Sequence, residues 1–488
     1  MKRARSIYFN DARHYYLFVH EPPMRLEDAW GPVDEVAGTG VDTFVYGVSR
    51  DDGLFYPSRV GKRFGEGEDL IQAAYWRVWH SMQSLIDGGL DPLTVLIDRA
   101  HEKGMEFIAS QRMGAFPGAG ERAAQRDGGP GMTDEAVRDH QFAVLRELAL
   151  DYPTEGIELD FAAAPGGTDW WVPEDELQQQ APMMTDFMRR VRAMSKERAG
   201  SPAVIGARVY PTRELNQAAG LDVDTWIEEG LVDYLVPLVY VYMTLDANMP
   251  IDWLVTATAE TDISVYAFLH CHYTEENRHR ANRTYATPAM YRAAAANAWR
   301  MGVDGLYSWF MRWPLGSEQR SVLMELSDRE QLERRDRHYF LRREVEDTGD
   351  HDYPAQLPLA FDPASDVGVT KKITFSIADD TANEPSATQV TLRLALTDLV
   401  AADRIDLSLN GQSLAGAPLQ RSPMREIDPY AGQWVEIDLV GHPPACGHNV
   451  LEVTLRERPA DLKSSLVLED VEIIVEYDTY ASTPLGGV

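Results

Sequence analysis

The chain has 488 residues, 44% hydrophobic and 25% charged, which fits a folded globular protein and excludes a disordered, collagenous or fibrous one. It carries 46 Lys and Arg against 77 Asp and Glu, a net charge of −31. That excess of carboxylates repels a phosphate backbone, so nucleic acid is not an expected partner.

The opening MKRARSIYFNDARHYY has a basic start but neither the apolar core nor the cleavage site of a signal peptide. It implies a cytoplasmic chain, or a periplasmic or secreted one if a leader was removed. No run approaches the roughly 20 apolar residues of a membrane span, so no membrane partner is expected. Oligomeric state is not legible.

In chain order, apolar, β-branched or aromatic runs predict strands at 6–10, 42–48, 105–113, 156–162, 203–210, 233–243, 263–273 and 305–311. Amphipathic stretches separate them. PLTVLIDRAHEKG has Pro92 near its start and Gly104 past its end, the asymmetry of a helix. The helix in TDEAVRDHQFAVLRELAL takes Thr133 as its N-cap, with Val137, Phe142, Leu145 and Leu148 on one face. Gly40, Gly104, Gly156, Gly230 and Gly302 precede strands and suit helix C-caps. Eight strands alternating with helices give an α/β fold, a (β/α)8 TIM barrel. The long gaps at 49–67 and 114–133 are insertions on its catalytic face.

Near Tyr339 the period changes from helical to two. KKITFSIADD, QVTLRLALTDL, DRIDLSLNGQSL, QWVEIDLV, NVLEVTLRERP and LEDVEIIVEY alternate apolar and polar residues, and Asn410-Gly411 signals a hairpin. The predicted domains are a catalytic barrel over 1–340, a polar linker over 341–358 and a carbohydrate-binding-like β-sandwich over 359–488.

Barrel active sites lie at the C-terminal strand ends. In GIELDFA, Ile157, Leu159 and Phe161 share one side of the strand, and Glu158 and Asp160 share the other. Only the barrel interior can hold the two carboxylates, with Asp160 nearer the mouth. Arg112 and Arg208 end the neighbouring strands and supply the cations that two acids in a low-dielectric interior require. The same arrangement also fits a purely structural ion-pair network.

Other strand ends carry Asn10-Asp11, Tyr210, Tyr240, Tyr242, Asp246, His270, His272, Tyr273, Glu275, Glu276, Trp309, Arg312 and Trp313. Aromatic rings stack on sugar C–H faces, and polar side chains bind hydroxyls. The expected catalytic set is Asp160 as nucleophile or base, with Asp246 as second carboxylate and Glu158 as its alternative. Asn10, Arg112, Arg208, Tyr210, Tyr242, His270, His272 and Trp309 form the expected substrate-binding set.

His270 and His272 also allow a metal reading, but the ligand count is short, so no metal is expected. Cys271 and Cys446 give no disulfide framework or ligand pattern. Asp51-Asp52-Gly53 reads as a turn. Arg278, His279, Arg280 and Arg283 read as a basic loop able to meet an acidic sugar. No P-loop, dinucleotide fingerprint or nucleophile elbow appears, so no cofactor is expected.

EGIELDF, the opening YFND, VDTFVYGV, GLDPLTVLIDRAHEKGMEFIASQRM, GLVDYLVPLVYVYM and ATPAMYRAAAANAWRMGVDGLYSWFM together resemble bacterial family 10 glycosyl hydrolase-like proteins. The resemblance spans about residues 6–315. It implies a (β/α)8 barrel and hydrolysis of glycosidic bonds without settling the substrate, which is expected to be a plant or algal poly- or oligosaccharide. The catalytic pair of true family-ten xylanases does not carry over: the fourth strand has Glu158-Leu159-Asp160 and the seventh has His270-Cys271-His272. The remaining alternatives are a non-catalytic carbohydrate-binding protein and a metal-dependent barrel hydrolase.

Overall fold

The computed structural model describes residues 2–11, 16–50, 53–70, 72–114, 131–164, 170–240, 244–274, 283–309, 311, 314–344, 351–384, 386–424 and 432–478. Eight strands form the barrel: β1 Arg5–Asp11, β2 Thr43–Gly47, β3 Glu106–Arg112, β4 Gly156–Asp160, β5 Val204–Val209, β6 Tyr234–Pro237, β7 Ser264–Leu269 and β8 Gly305–Trp309. They lie side by side in chain order, all parallel, and β8 pairs back onto β1 to close the cylinder. Each strand falls within, or within a residue of, one of the eight expected runs.

The strand pleat sorts the side chains. Ile7, Phe9, Val45, Ile108, Ala162, Val236, Phe268, Tyr307 and Trp309 pack together inside the barrel. Tyr8, Phe44, Tyr46, Phe107, Ile157, Leu159 and Phe161 belong to the larger core between strands and helices. Successive residues of a strand point to opposite faces, so Glu158 and Asp160 point inward with Ala162.

The helix Pro92–Glu102 has the expected cap: the Asp91 carboxylate accepts from the Leu93 N–H, and Pro92 opens the first turn. Glu135–Arg146 starts one residue later than expected. Asp134, not Thr133, caps it by accepting from Ala136 N at 2.9 Å, while Thr133 closes a preceding 3-10 turn. Gly156 is not a helix cap either. It is the first residue of β4, where a Cβ would meet the Val204 carbonyl oxygen at 2.1 Å. Close strand approach, not left-handed backbone, excludes a side chain there.

The C-terminal strands are β9 Arg337–Phe340, β10 Leu359–Phe361, β11 Thr370–Ile377, β12 Ala387–Thr397, β13 Arg404–Leu409, β14 Gln412–Ser413, β15 Leu419–Pro423, β16 Gln433–Asp438, β17 Gly447–Glu457 and β18 Leu466–Tyr477. One sheet runs β9-β18-β12-β16-β15, with β10 also on β18, and the other runs β11-β17-β13-β14. Asn410 and Gly411 both have positive φ, 52° and 78°, as a two-residue hairpin turn demands.

β9 pairs with β18, so residues 337–340 belong to the C-terminal sheet by hydrogen bonding. Asn248 and Asn297 dock the sandwich onto the barrel: Asn248 Oδ1 accepts from Ser376 N, and Asn297 Nδ2 donates to Ser376 O, both at 2.7 Å.

Candidate functional site

Two layers of inward side chains fill the upper barrel. Strand register puts Ser110, Glu158, Gly206 and Tyr234 side by side in the deeper one. Glu158 is fully buried. Its Oε1 accepts from Ser110 Oγ at 2.8 Å and Tyr307 OH at 3.1 Å, and its Oε2 accepts from Tyr234 OH at 3.0 Å. Gly206 makes this possible, because a Cβ there would lie 2.0 Å from the Tyr234 ring.

The upper layer is Arg112, Asp160 and Arg208, again in register. Arg208 Nε lies 2.8 Å from Glu158 Oε1, an ion-pair contact without hydrogen-bond alignment. Its Nη1 reaches Asp160 Oδ2 at 3.2 Å, and Nη2 donates to Tyr307 OH at 2.5 Å. The guanidinium lies 3.8 Å from the Phe9 ring centroid, a desolvated cation–π contact. One arginine thus bridges both acids. The other Asp160 oxygen accepts from Ala163 N at 3.1 Å. Burial first, and then the field of Glu158, holds the Tyr234 hydroxyl well above its ordinary pKa, so it stays a proton donor.

Arg112 turns to a different acid. Its Nη2 donates to Asp11 Oδ2 at 2.5 Å, and its guanidinium lies 5.6 Å from the Tyr240 ring centroid. Asp11 shares the inward parity of Ile7 and Phe9. Asn10, expected to bind substrate, shares the parity of Tyr8 and faces the helix layer instead. Counting back from the apolar interior residues of β1 would have selected Asp11.

His270 and His272 part company. His270 continues the inward parity of Tyr266 and Phe268, its ring 4.6 Å from Phe268 and 5.6 Å from Trp309. β7 ends at Leu269, the chain bends at Cys271, and His272 enters a short hairpin with its ring 4.8 Å from Tyr285. The bend breaks the alternation that would have aimed both imidazoles one way. Among the described residues no cluster of three or more His, Cys, Asp or Glu could hold a metal.

Trp309 lies inside the barrel, 5.7 Å from Tyr240 and 6.0 Å from Phe268. Tyr210 is buried, and its hydroxyl donates to the carbonyl oxygens of Phe161 and Ala164, clasping the turn after β4. Burial, and then Asp160, holds its pKa well above normal.

Asp246 follows β6, and its oxygens meet other partners. Oδ1 accepts from Asn248 N at 2.7 Å, Oδ2 accepts from Tyr353 OH at 2.6 Å, and Arg342 Nε lies 3.8 Å away. These contacts bind it to the segment between the barrel and the sandwich. Tyr242, Glu275, Glu276, Arg278, His279, Arg280, Arg312, Trp313, Asp51 and Asp52 lie outside the described residues. No helix among the described residues is long and apolar enough to cross a membrane.

No protein-family model matches the chain, and no curated protein matches it. Among solved structures it is similar to an endo-β-1,4-mannanase from Thermotoga petrophila, at 11% identity and a TM-score of 0.45, over 96% of this chain and 98% of that one. It is similar to an endo-1,4-β-mannanase from Rhizomucor miehei, at 10% identity and a TM-score of 0.45, over 67% and 94% of the two chains. It is also similar to an α-L-fucosidase from Paenibacillus thiaminolyticus, at 11% identity and a TM-score of 0.40, over 67% and 49%. The barrel rests on its own strand pairing and draws no argument from these likenesses.

Proposed function

We propose that the chain is a glycoside hydrolase that cleaves glycosidic bonds of a poly- or oligosaccharide, with Asp160 as its first catalytic carboxylate. The observation that carries this reading is the placement of Asp160. It ends β4 on the inward side, at the barrel end where active sites gather, with Arg208 on one oxygen and a backbone N–H on the other. Both partners donate hydrogen bonds to it and fix its orientation. An ionised carboxylate is what the reaction needs, either to attack the anomeric carbon or to take a proton from water.

Asp11, held by Arg112, is the second inward carboxylate of this reading. Its negative charge would stabilise the oxocarbenium-like transition state. Asp246 is assigned a positioning role, because Tyr353, Arg342 and Asn248 occupy its oxygens. His270, Trp309 and Tyr240 line the same interior and supply aromatic walls for a sugar ring.

A second reading is a non-catalytic carbohydrate-binding barrel. It is favoured by the sharing of one guanidinium between Glu158 and Asp160, both at most 1% exposed, as in a structural ion-pair core. An activity screen on plant and algal glycans, sulfated and uronic ones included, separates the two. Under the first reading the wild type releases reducing ends from at least one glycan, and a folded Asp160→Asn variant loses several orders of magnitude in turnover. Near wild-type turnover in that variant would remove Asp160 from the chemistry.

A further inference from the structure

Residues 341–344 and 351–353, which follow β9, form a strap that touches both the sandwich and the loops after the barrel strands. Arg343 pairs with Asp470 of β18 and fixes its start to the sandwich. Arg342 Nη1 donates to Asp352 at 2.7 Å, and its guanidinium covers the Tyr353 ring at 4.2 Å. Tyr353 OH then reaches Asp246 in the loop after β6. One turn of chain away, His351 Nε2 lies 2.8 Å from Glu174 Oε1, in the segment that follows β4. The strap therefore ties the loop after β4 to the loop after β6, over the end of β5.

Under the strap sits Trp170, ten positions beyond Asp160 in the loop after β4. Its neighbour Trp171 is fully buried, edge-on to Phe161 with centroids 5.3 Å apart, and anchors that loop in the core. Trp170 itself is only half-buried. Three rings brace it: Trp171 edge-on at 5.2 Å, His351 at 5.1 Å and Tyr210 at 6.4 Å. Tyr210 in turn clasps the turn directly after Asp160. The result is a part-exposed indole braced by three rings in the loop after β4, with His351, itself paired to Glu174, as its polar neighbour. An apolar plate inside a polar rim matches a ligand with apolar C–H faces and a hydroxylated edge.

We propose that Trp170 is a stacking platform for a pyranose ring of an extended oligosaccharide, and that His351 of the strap is its positioning residue. The inference rests on the proposed function for its ligand class. It adds that the C-terminal part of the chain completes the substrate site, and that the site reads more than the sugar being cleaved.

The test uses the full-length protein and the soluble oligosaccharide series of whichever glycan is active or bound. Tryptophan fluorescence and calorimetry measure binding to Asp160→Asn, which prevents turnover. In this background Trp170→Ala should weaken oligosaccharides about tenfold, the scale of one aromatic contact, and Trp170→Phe should restore much of that loss. In the active enzyme, Trp170→Ala should raise KM more for the longer substrates than for an aryl monoglycoside.

His351→Ala should show the same split in smaller measure, and His351→Phe, which keeps a ring against the indole, should rescue it. Equal loss on short and long substrates, or unchanged affinity in Trp170→Ala, would overturn the platform. A fall in melting temperature for His351→Ala without a change in affinity would overturn the positioning role. Trp170-dependent binding without turnover would refute the hydrolase reading and keep the platform. A wild type that binds no glycan would refute both.

Discussion

Glu158 is the sharper test of the barrel interior, because its carboxylate is fully buried among donors. Four groups surround its carboxylate: Ser110 Oγ, Tyr234 OH, Tyr307 OH and the Arg208 guanidinium. Glu158→Ala leaves Arg208 with one carboxylate instead of two, and breaking a buried pair by removing one partner costs about 3–5 kcal/mol. The hydroxyls of Ser110 and Tyr234 are left buried without that acceptor, at roughly 1–3 kcal/mol each if they find no other. These terms overlap, and a net loss of about 5 kcal/mol is expected. At about 2 °C per kcal/mol for a chain this long, the barrel transition should fall by about 10 °C. Glu158→Gln keeps the volume and one acceptor oxygen and should lose about half as much. Scanning calorimetry measures both variants, with turnover followed at 25 °C. Modest loss of activity beside a large loss of stability is the expected pattern. A Glu158→Gln protein that melts like the wild type yet has lost turnover by orders of magnitude would show that Glu158 is catalytic and that its donors tune its chemistry.

Asp246→Asn should lower activity alike on substrates with poor and with activated leaving groups, because it loosens the strap and withdraws no proton donor; selective loss on poor leaving groups would return Asp246 to the acid role. A chain cut after residue 344 keeps β9 without its partner β18 and leaves Asp246 without Tyr353, so it should aggregate or unfold at 37 °C. A soluble, monomeric barrel with wild-type melting would refute the dependence. Burial holds the Asp352 carboxyl above its ordinary pKa despite Arg342, so the folded chain binds that proton more tightly than the unfolded one. Its contribution to stability is complete below the usual carboxylate range and is lost as pH rises through the raised value. Urea midpoints taken at steps from about pH 4 to 7 should gain ground for Asp352→Asn relative to wild type as pH rises; parallel curves would contradict the raised value.

The eight barrel strands were legible because each is a short apolar run closed by a glycine-bearing or polar turn, and the period changes cleanly where the sandwich begins. The inward parity of Glu158 and Asp160 was legible too, since Ile157, Leu159 and Phe161 can face only the helix layer. Parity also decides between Asn10 and Asp11, but only once Ile7 and Phe9 are known to lie inside, and both faces of β1 are apolar. A parallel strand buried on both sides loses the polar–apolar contrast that marks a face. Of that pair Asn10 faces the helix layer and Asp11 the interior, whereas at β4 two charges marked the inward side.

The rest of the site was hidden for a different reason. His272 leaves the barrel because the chain bends at Cys271, and nothing in HCHY marks where a strand stops pairing. Trp170, His351, Tyr353 and Arg342 come together across some 180 positions, and no local pattern joins the loop after β4 to a stretch that reads as a polar linker. Yet that stretch carries two adjacent arginines, Arg342 and Arg343, that are both buried. Buried arginines in a connector require carboxylate partners elsewhere, and here those partners are Asp352, Asp246 and Asp470. Residues 342 and 343 are therefore packed into the fold. Further along, His351 meets Glu174 and Trp170 in the stretch that follows β4. Arg342 ties the strap to Asp246 after β6 and Arg343 ties it to the sandwich, so Arg342→Met should cost stability and, on the proposed function, oligosaccharide affinity.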